Sequence, residues 1–231
     1  MIRDNLKNIG EDIKHTALRC GRDPAEIKLV AVSKRFPAEA MKEAHLAGQR
    51  IFGENFIQEA AEKRNILGTA VRIHFIGHLQ SNKAKIAAEV CDVVETVDRF
   101  KIGSALNRYL LSCDRTLEVL VQVNVGLDPK KSGVLPDDTE QLLTQLIELP
   151  ALRVAGLMTM PPFTQDPEQA RPFFRKLRQL SEKMNDRGLF ASGSSVELSM
   201  GMSSDYRVAI EEGATSIRIG TAIFGIRPPK S

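Results

Sequence analysis

Lys34 is the residue whose type and setting most directly suggest chemistry. It ends the run Leu29-Val-Ala-Val-Ser-Lys34. A continuous apolar run of this length reads as a strand buried on both faces, as in a parallel sheet. The C-terminal end of such a strand is where α/β folds place their reactive groups. A lysine there can be partly desolvated, which lowers its pKa and makes the amine a nucleophile toward an aldehyde. The competing reading is a lysine that only caps the strand and points into water.

Two later stretches could hold an anion. Ser199-Met-Gly-Met-Ser203 supplies hydroxyls and a flexible Gly201, and Gly220-Thr221 supplies a small residue and a hydroxyl. Backbone N–H groups in such loops hold a dianion with little need for lysine. Ser203 and Ser204 suit the N-cap of a following helix equally well. Arg218 lies inside the apolar segment Ile217-Arg-Ile219. A buried arginine is rarely tolerated unpaired. It can serve an internal salt bridge, to Glu197 or Glu54, or it can face an acceptor on a ligand. The histidines show no metal-ligand pattern; His78 sits at a strand end. There is no Gly-x-Ser-x-Gly, Walker loop or paired-carboxylate motif. A strand-end lysine, a phosphate pocket and an inward arginine together suggest a phosphorylated aldehyde. Pyridoxal 5′-phosphate fits all three, with Lys34 as Schiff base, the loops on its phosphate and Arg218 near the ring nitrogen. Arginine at that nitrogen disfavours ring protonation and so weakens the electron sink.

These residues need a scaffold that brings strand ends together. Ile2, Leu6, Ile9, Ile13 and Ala17 form one stripe of an N-terminal helix that ends near Gly21. Strands and helices then alternate. The strands after Lys34 are read over 50–53, 72–77, 92–97, 117–125, 152–160, 195–199 and 216–220. The helices are read from Pro37, then over 55–67, 82–90, 100–111, 137–149, 167–187 and 204–212. Eight strands in such alternation predict a (β/α)8 TIM barrel, whose reactive residues lie on the loops after each strand. Little chain follows the eighth strand, so the N-terminal helix is expected to fill part of the outer ring. The competing architecture is an open doubly wound sheet.

The bulk composition excludes several functions. The chain has 231 residues, 42% hydrophobic and 26% charged, and is read as one domain over 1–231. A net charge of +3, with lysines and arginines spread along the chain, argues against nucleic acid or an anionic membrane. No apolar run approaches the roughly 20 residues that span a bilayer. The N-terminus lacks the apolar core of a signal peptide, so a cytoplasmic location is expected. Cys20, Cys91 and Cys113 are an odd number without metal spacing and suggest a reducing compartment with buried or idle thiols. The loop 128–133, Asp-Pro-Lys-Lys-Ser-Gly, reads as a mobile basic segment for gating or partner contact, or as a plain solvated turn.

Several motifs carry a resemblance. Ala31-Val-Ser-Lys34, Phe52-Gly-Glu-Asn55, His74-Phe-Ile-Gly-His-Leu-Gln-Ser-Asn-Lys83, Leu198-Ser-Met-Gly-Met-Ser203 and Arg218-Ile-Gly-Thr-Ala-Ile-Phe-Gly225 resemble the YggS/PROSC (PLPBP) family of pyridoxal-phosphate homeostasis proteins. The resemblance implies a single barrel of the alanine racemase N-terminal type, fold type III of the pyridoxal-phosphate proteins. It implies that Lys34 carries the cofactor as an internal aldimine and that Asn55 lies beside it. Ser199, Ser203, Gly220 and Thr221 would hold the phosphate, and Arg218 would face the pyridine nitrogen. The implied role is balancing of cellular pyridoxal phosphate, without robust catalysis, with apo pyridoxal-phosphate enzymes as possible recipients.

The residues point the same way. Two-base racemisation needs an acid/base group on each face of the substrate. In the related racemases the second base is a tyrosine from a C-terminal domain of a partner subunit, and this chain ends at Ser231. Its tyrosines, Tyr109 and Tyr206, fall in predicted helices. A rough alignment sets Met160 where racemases keep a histidine. A monomer is expected. An amino-acid racemase or slow transaminase is the alternative function, and a phosphosugar aldolase using Lys34 is a third.

Overall fold

The computed structural model describes residues 1–162, 164–191 and 195–227, so the last residues of the domain read over 1–231 lie outside the described residues. Eight parallel strands close in sequence order: β1 (Lys28–Val32), β2 (Ile51–Glu54), β3 (Arg72–Phe75), β4 (Val93–Val97), β5 (Leu117–Gln122), β6 (Leu152–Met158), β7 (Glu197–Ser199) and β8 (Ser216–Ile219). Pairing of β1 with β8, from Lys28 opposite Ser216 to Ala31 opposite Ile219, shuts the sheet. Closure removes the open-sheet alternative and gathers the ends of β1, β7 and β8 at one rim.

Helices surround the barrel: α1 (Ile2–Arg19), α2 (Ala38–Leu46), α3 (Ile57–Leu67), α4 (Ala84–Val90), α5 (Phe100–Leu111), α6 (Thr139–Ile147), α7 (Arg171–Asp186), α8 (Tyr206–Glu211) and α9 (Thr221–Phe224). The last is a single turn, too short to cover the sheet. The expected substitution is present, because α1 packs against α2, α8 and α9 and buries Ile2, Ile9, Ile13 and Ala17. Asn5 Nδ2 donates to the Ile223 carbonyl at 2.9 Å, and the Arg22 guanidinium donates to the carbonyls of Ile210 and Ala214 at 2.8 and 2.7 Å.

The elements are shorter than the sequence patterns suggest. The regular strand within 117–125 ends at Gln122; the Val123 N–H still donates to the Met158 carbonyl at 2.8 Å, and beyond it the Asn124 side chain bonds the backbone of Asp128. Three helices, read from residues 82, 137 and 167, begin with a 3-10 turn before the α-helix proper. Of the residues in these three turns only Ala170 is buried, so the turns lead into their helices from outside the core. Inside the barrel, Val93, Leu120, Ala155 and Met158 form a small apolar cluster, and the buried polar groups Glu95, His74, Ser199 and Arg218 share the lumen with it.

Candidate ligand site at the barrel mouth

Lys34 follows β1 by two residues, and its backbone is held on both sides. Ser33 is buried; its hydroxyl donates to Glu54 Oε1 at 2.7 Å and its carbonyl accepts from Lys63 Nζ at 2.8 Å. Lys63 also pairs with Glu54 at 2.6 Å. Arg35 takes a φ of +67°, and its N–H donates to Glu59 Oε2 at 2.8 Å. Lys34 itself is half-buried. Burial holds its amine below the ordinary lysine value; the charges of Arg227, Arg218 and Arg35 act in the same direction and Glu54 opposes them. Such an amine is more often unprotonated, the form that attacks an aldehyde.

Arg218 is buried on β8 but pairs with neither Glu197 nor Glu54. Glu197 is taken by Lys28 at 2.9 Å and Glu54 by Lys63. The Arg218 guanidinium donates to Ser199 Oγ and, at 2.7 Å, to the Thr159 carbonyl, and lies 3.9 Å from Glu95 Oε2. The Ser199 hydroxyl donates in turn to Glu95 Oε2 at 2.6 Å, and His74 Nδ1 sits 2.7 Å from Glu95 Oε1. Because β4 and β7 are not neighbours, this chain crosses the lumen. Burial alone would raise the Glu95 carboxyl, but the bond and charge of His74, the Arg218 charge and the Ser199 hydroxyl bring it below the ordinary carboxylate range. Ser199, expected on a phosphate, therefore has its hydroxyl engaged by Arg218 and Glu95.

The remaining residues line the rim. The N–H groups of Ser203, Ser204, Gly220 and Thr221 donate to no acceptor among the described residues. Neither serine caps α8: its N-cap is Asp205, whose carboxylate accepts from the Met202 N–H at 2.6 Å. Asn55 follows β2, the neighbour of β1 in the barrel. Its carbonyl presses on Gly77, where a Cβ would come within 2.1 Å of it, so glycine fixes this approach. Asn55 Oδ1 is buried without a partner. A cavity of about 340 Å³ opens here, with Asn55, His78, Gln122, Lys131, Met160 and Met202 in its wall.

The loop 128–133 is not a free turn. Lys131 donates to the carbonyls of Met160 and Pro161, and Gln122 Nε2 donates to the Ser132 carbonyl at 3.0 Å. His78 Nδ1 lies 3.2 Å from Ser132 Oγ. Neither tyrosine is at the mouth. Tyr206 bonds Asp12 of α1, and burial with that carboxylate pushes its hydroxyl up to about 12. Tyr109 lies on α5 under the Arg108 guanidinium. Among the described residues no cluster of three His, Cys, Asp or Glu could hold a metal ion, and no helix is long and apolar enough to cross a membrane.

Sequence reasoning missed Glu95, His74, Lys63 and Arg227. Glu95 carried a usable signal, an acid inside the apolar strand Val93-Val-Glu-Thr-Val97, the same pattern that singled out Arg218. Lys63 and Arg227 sit among other surface-type charges and carry none.

The unfilled donors and acceptors fit an aldehyde that also bears a phosphate. Comparison with known proteins places the chain. The family model of the alanine racemase N-terminal domain matches residues 5–228. The pyridoxal phosphate homeostasis protein of Pseudomonas aeruginosa is 43% identical over 227 residues, 98% of this chain and 96% of that one. The structure of PipY from Synechococcus elongatus with pyridoxal phosphate bound superposes with a TM-score of 0.84 at 36% identity, covering 97% of this chain and 100% of PipY. Alanine racemase of Clostridium difficile shares the fold alone, with a TM-score of 0.75 at 18% identity, and this chain spans 57% of it.

Proposed function

The chain belongs to the pyridoxal phosphate homeostasis proteins of the alanine racemase N-terminal domain family, and on that premise we propose that it binds pyridoxal 5′-phosphate through Lys34 and serves to hold and balance that cofactor. The observation that carries this reading is the meeting, at one rim, of a half-buried amine of lowered basicity, an inward arginine and unengaged backbone donors. Bound pyridoxal phosphate supplies an aldehyde for an amine and an electron-withdrawing ring.

Each residue then has a task. Lys34 presents its amine to the aldehyde. Ser33, Glu54 and Lys63 hold the strand end that aims it. Ser203, Gly220 and Thr221 offer N–H groups to the phosphate. Asn55 offers its unsatisfied oxygen beside the ring. Arg218 faces the ring nitrogen, where a permanent cation keeps a proton away. Ser199, the Thr159 carbonyl and Glu95 fix the angle of that guanidinium.

We read the protein as a carrier that hands the cofactor to apo-enzymes, not as a racemase. Both tyrosines have structural partners away from the mouth, so neither is placed to serve as the phenol of a two-base reaction. Holo-protein incubated with alanine in deuterated water is expected to leave the α-proton in place over hours. Rapid exchange that disappears in Lys34→Ala would instead establish the racemase or transaminase alternative.

A further inference from the structure

Arg227 stands outside every role assigned above. The chain leaves α9 through Gly225, whose φ of +84° turns it back toward the barrel mouth. Arg227 thereby lies over Gly220: its Nη2 is 3.3 Å from the point that a Cβ on Gly220 would occupy. Its Nε is buried without a partner, and among the described residues the guanidinium makes no hydrogen bond or ion pair. Arginine is weakly hydrated and rigid, and it is usually placed where an anion can engage its fork. Here it stands instead close enough to Lys34 to weigh on the amine, with Arg218 and Arg35 adding further positive charge. The guanidinium groups of Arg227, Arg218 and Arg35 all act on this one amine, and the Glu54 carboxylate opposes them. Arg227 does nothing for the fold by pairing, yet it is held against the loop that carries unengaged N–H groups.

We propose that Arg227 is the side chain that engages the phosphate of the ligand over Gly220, and that this contact makes the site select the phosphorylated aldehyde over the unphosphorylated one. The proposal rests on the reading of the mouth as a pyridoxal phosphate site. Gly220 suits the arrangement because any side chain there would meet the guanidinium at one side and the Val32 carbonyl, 3.2 Å away, at the other. A cationic hydrogen-bond partner to a phosphate differs from a packing residue in one testable way: its worth depends on the phosphate being present.

The experiment compares pyridoxal 5′-phosphate with pyridoxal. Affinities of both are measured for the parent protein, Arg227→Gln and Arg227→Lys. Arg227→Gln is expected to weaken pyridoxal phosphate roughly 10- to 100-fold, the range for losing a charge-assisted bond, and pyridoxal less than about twofold. Arg227→Lys, which keeps the charge but loses the fork, should fall between. Equal weakening of both ligands, or no weakening of either, overturns the proposal. A parent protein that fails to take up pyridoxal phosphate removes the underlying reading as well, so the two failures are told apart. Thermal unfolding of each variant identifies any loss of fold, and Arg227→Lys keeps the test decisive if the glutamine variant is damaged.

Discussion

Arg218→Met is expected to remove about 3–5 kcal/mol of folding stability, the range for breaking a buried ion pair from one side. Arg218 and Glu95 are 3% and 0% exposed, so neither can turn to water when its partner goes. The arginine is also the donor for Ser199 Oγ and the Thr159 carbonyl, which would lose their bonds with it. For a chain of this size the loss corresponds to a fall in melting temperature of roughly 6–20 °C. Chemical denaturation of the two proteins checks it. The double variant Arg218→Met/Glu95→Gln should recover part of the loss, because it leaves no uncompensated charge in the lumen. A single variant within about 1 kcal/mol of the parent would mean that the network contributes little. The pH dependence has a defined sign. Glu95 is held below its unfolded value, so its contribution is present above about pH 4.3 and is lost as pH falls through the folded value.

Lys63→Met is expected to have a comparable effect with the opposite pH behaviour. Lys63 is 4% exposed and supplies the cation for Glu54, which is fully buried and whose second oxygen has no partner. Burial holds the Glu54 carboxyl above the ordinary range, while the Lys63 charge and bond and the Ser33 hydroxyl bring it partway down. A group whose folded value is raised contributes stability below its unfolded value, near pH 4.3, and loses that contribution as pH rises through the folded value. Without Lys63 the carboxyl would rise further. The destabilisation should therefore be about 3–5 kcal/mol at neutral pH and shrink toward pH 5, where Glu54 can take a proton. Denaturation at pH 5 and pH 8 measures this. A penalty that does not change between them would contradict the assignment. Loss of Lys63 also releases the Ser33 carbonyl, so Lys34 would be less firmly aimed.

The barrel was legible because its evidence repeats. Each of eight apolar runs ends in polar or glycine residues, and an error of two or three residues at Val125 or Met160 changes nothing in the count. Lys34 and Arg218 stood out for a local reason, a charge at the end of, or within, an apolar strand. What a buried arginine pairs with was not legible. Glu54, Glu95 and Glu197 all lie on strands, and only the closed barrel decides that Arg218 faces Glu95 while Lys28 and Lys63 take the other two. Ser199 shows the same limit, since its neighbours in sequence give no hint that its hydroxyl lies between a carboxylate and a guanidinium. The role of the loop 128–133 depends equally on contacts made across the mouth, by Lys131 to the end of β6.

Borohydride reduction after addition of pyridoxal 5′-phosphate, followed by mass mapping of the peptides, tests the central claim most directly. The account predicts a yellow protein that loses its colour on reduction and carries one pyridoxyl group, on Lys34, with none fixed there in Lys34→Ala. A protein that stays colourless after the cofactor is added, or that is labelled on surface lysines with Lys34 unmodified, would contradict it.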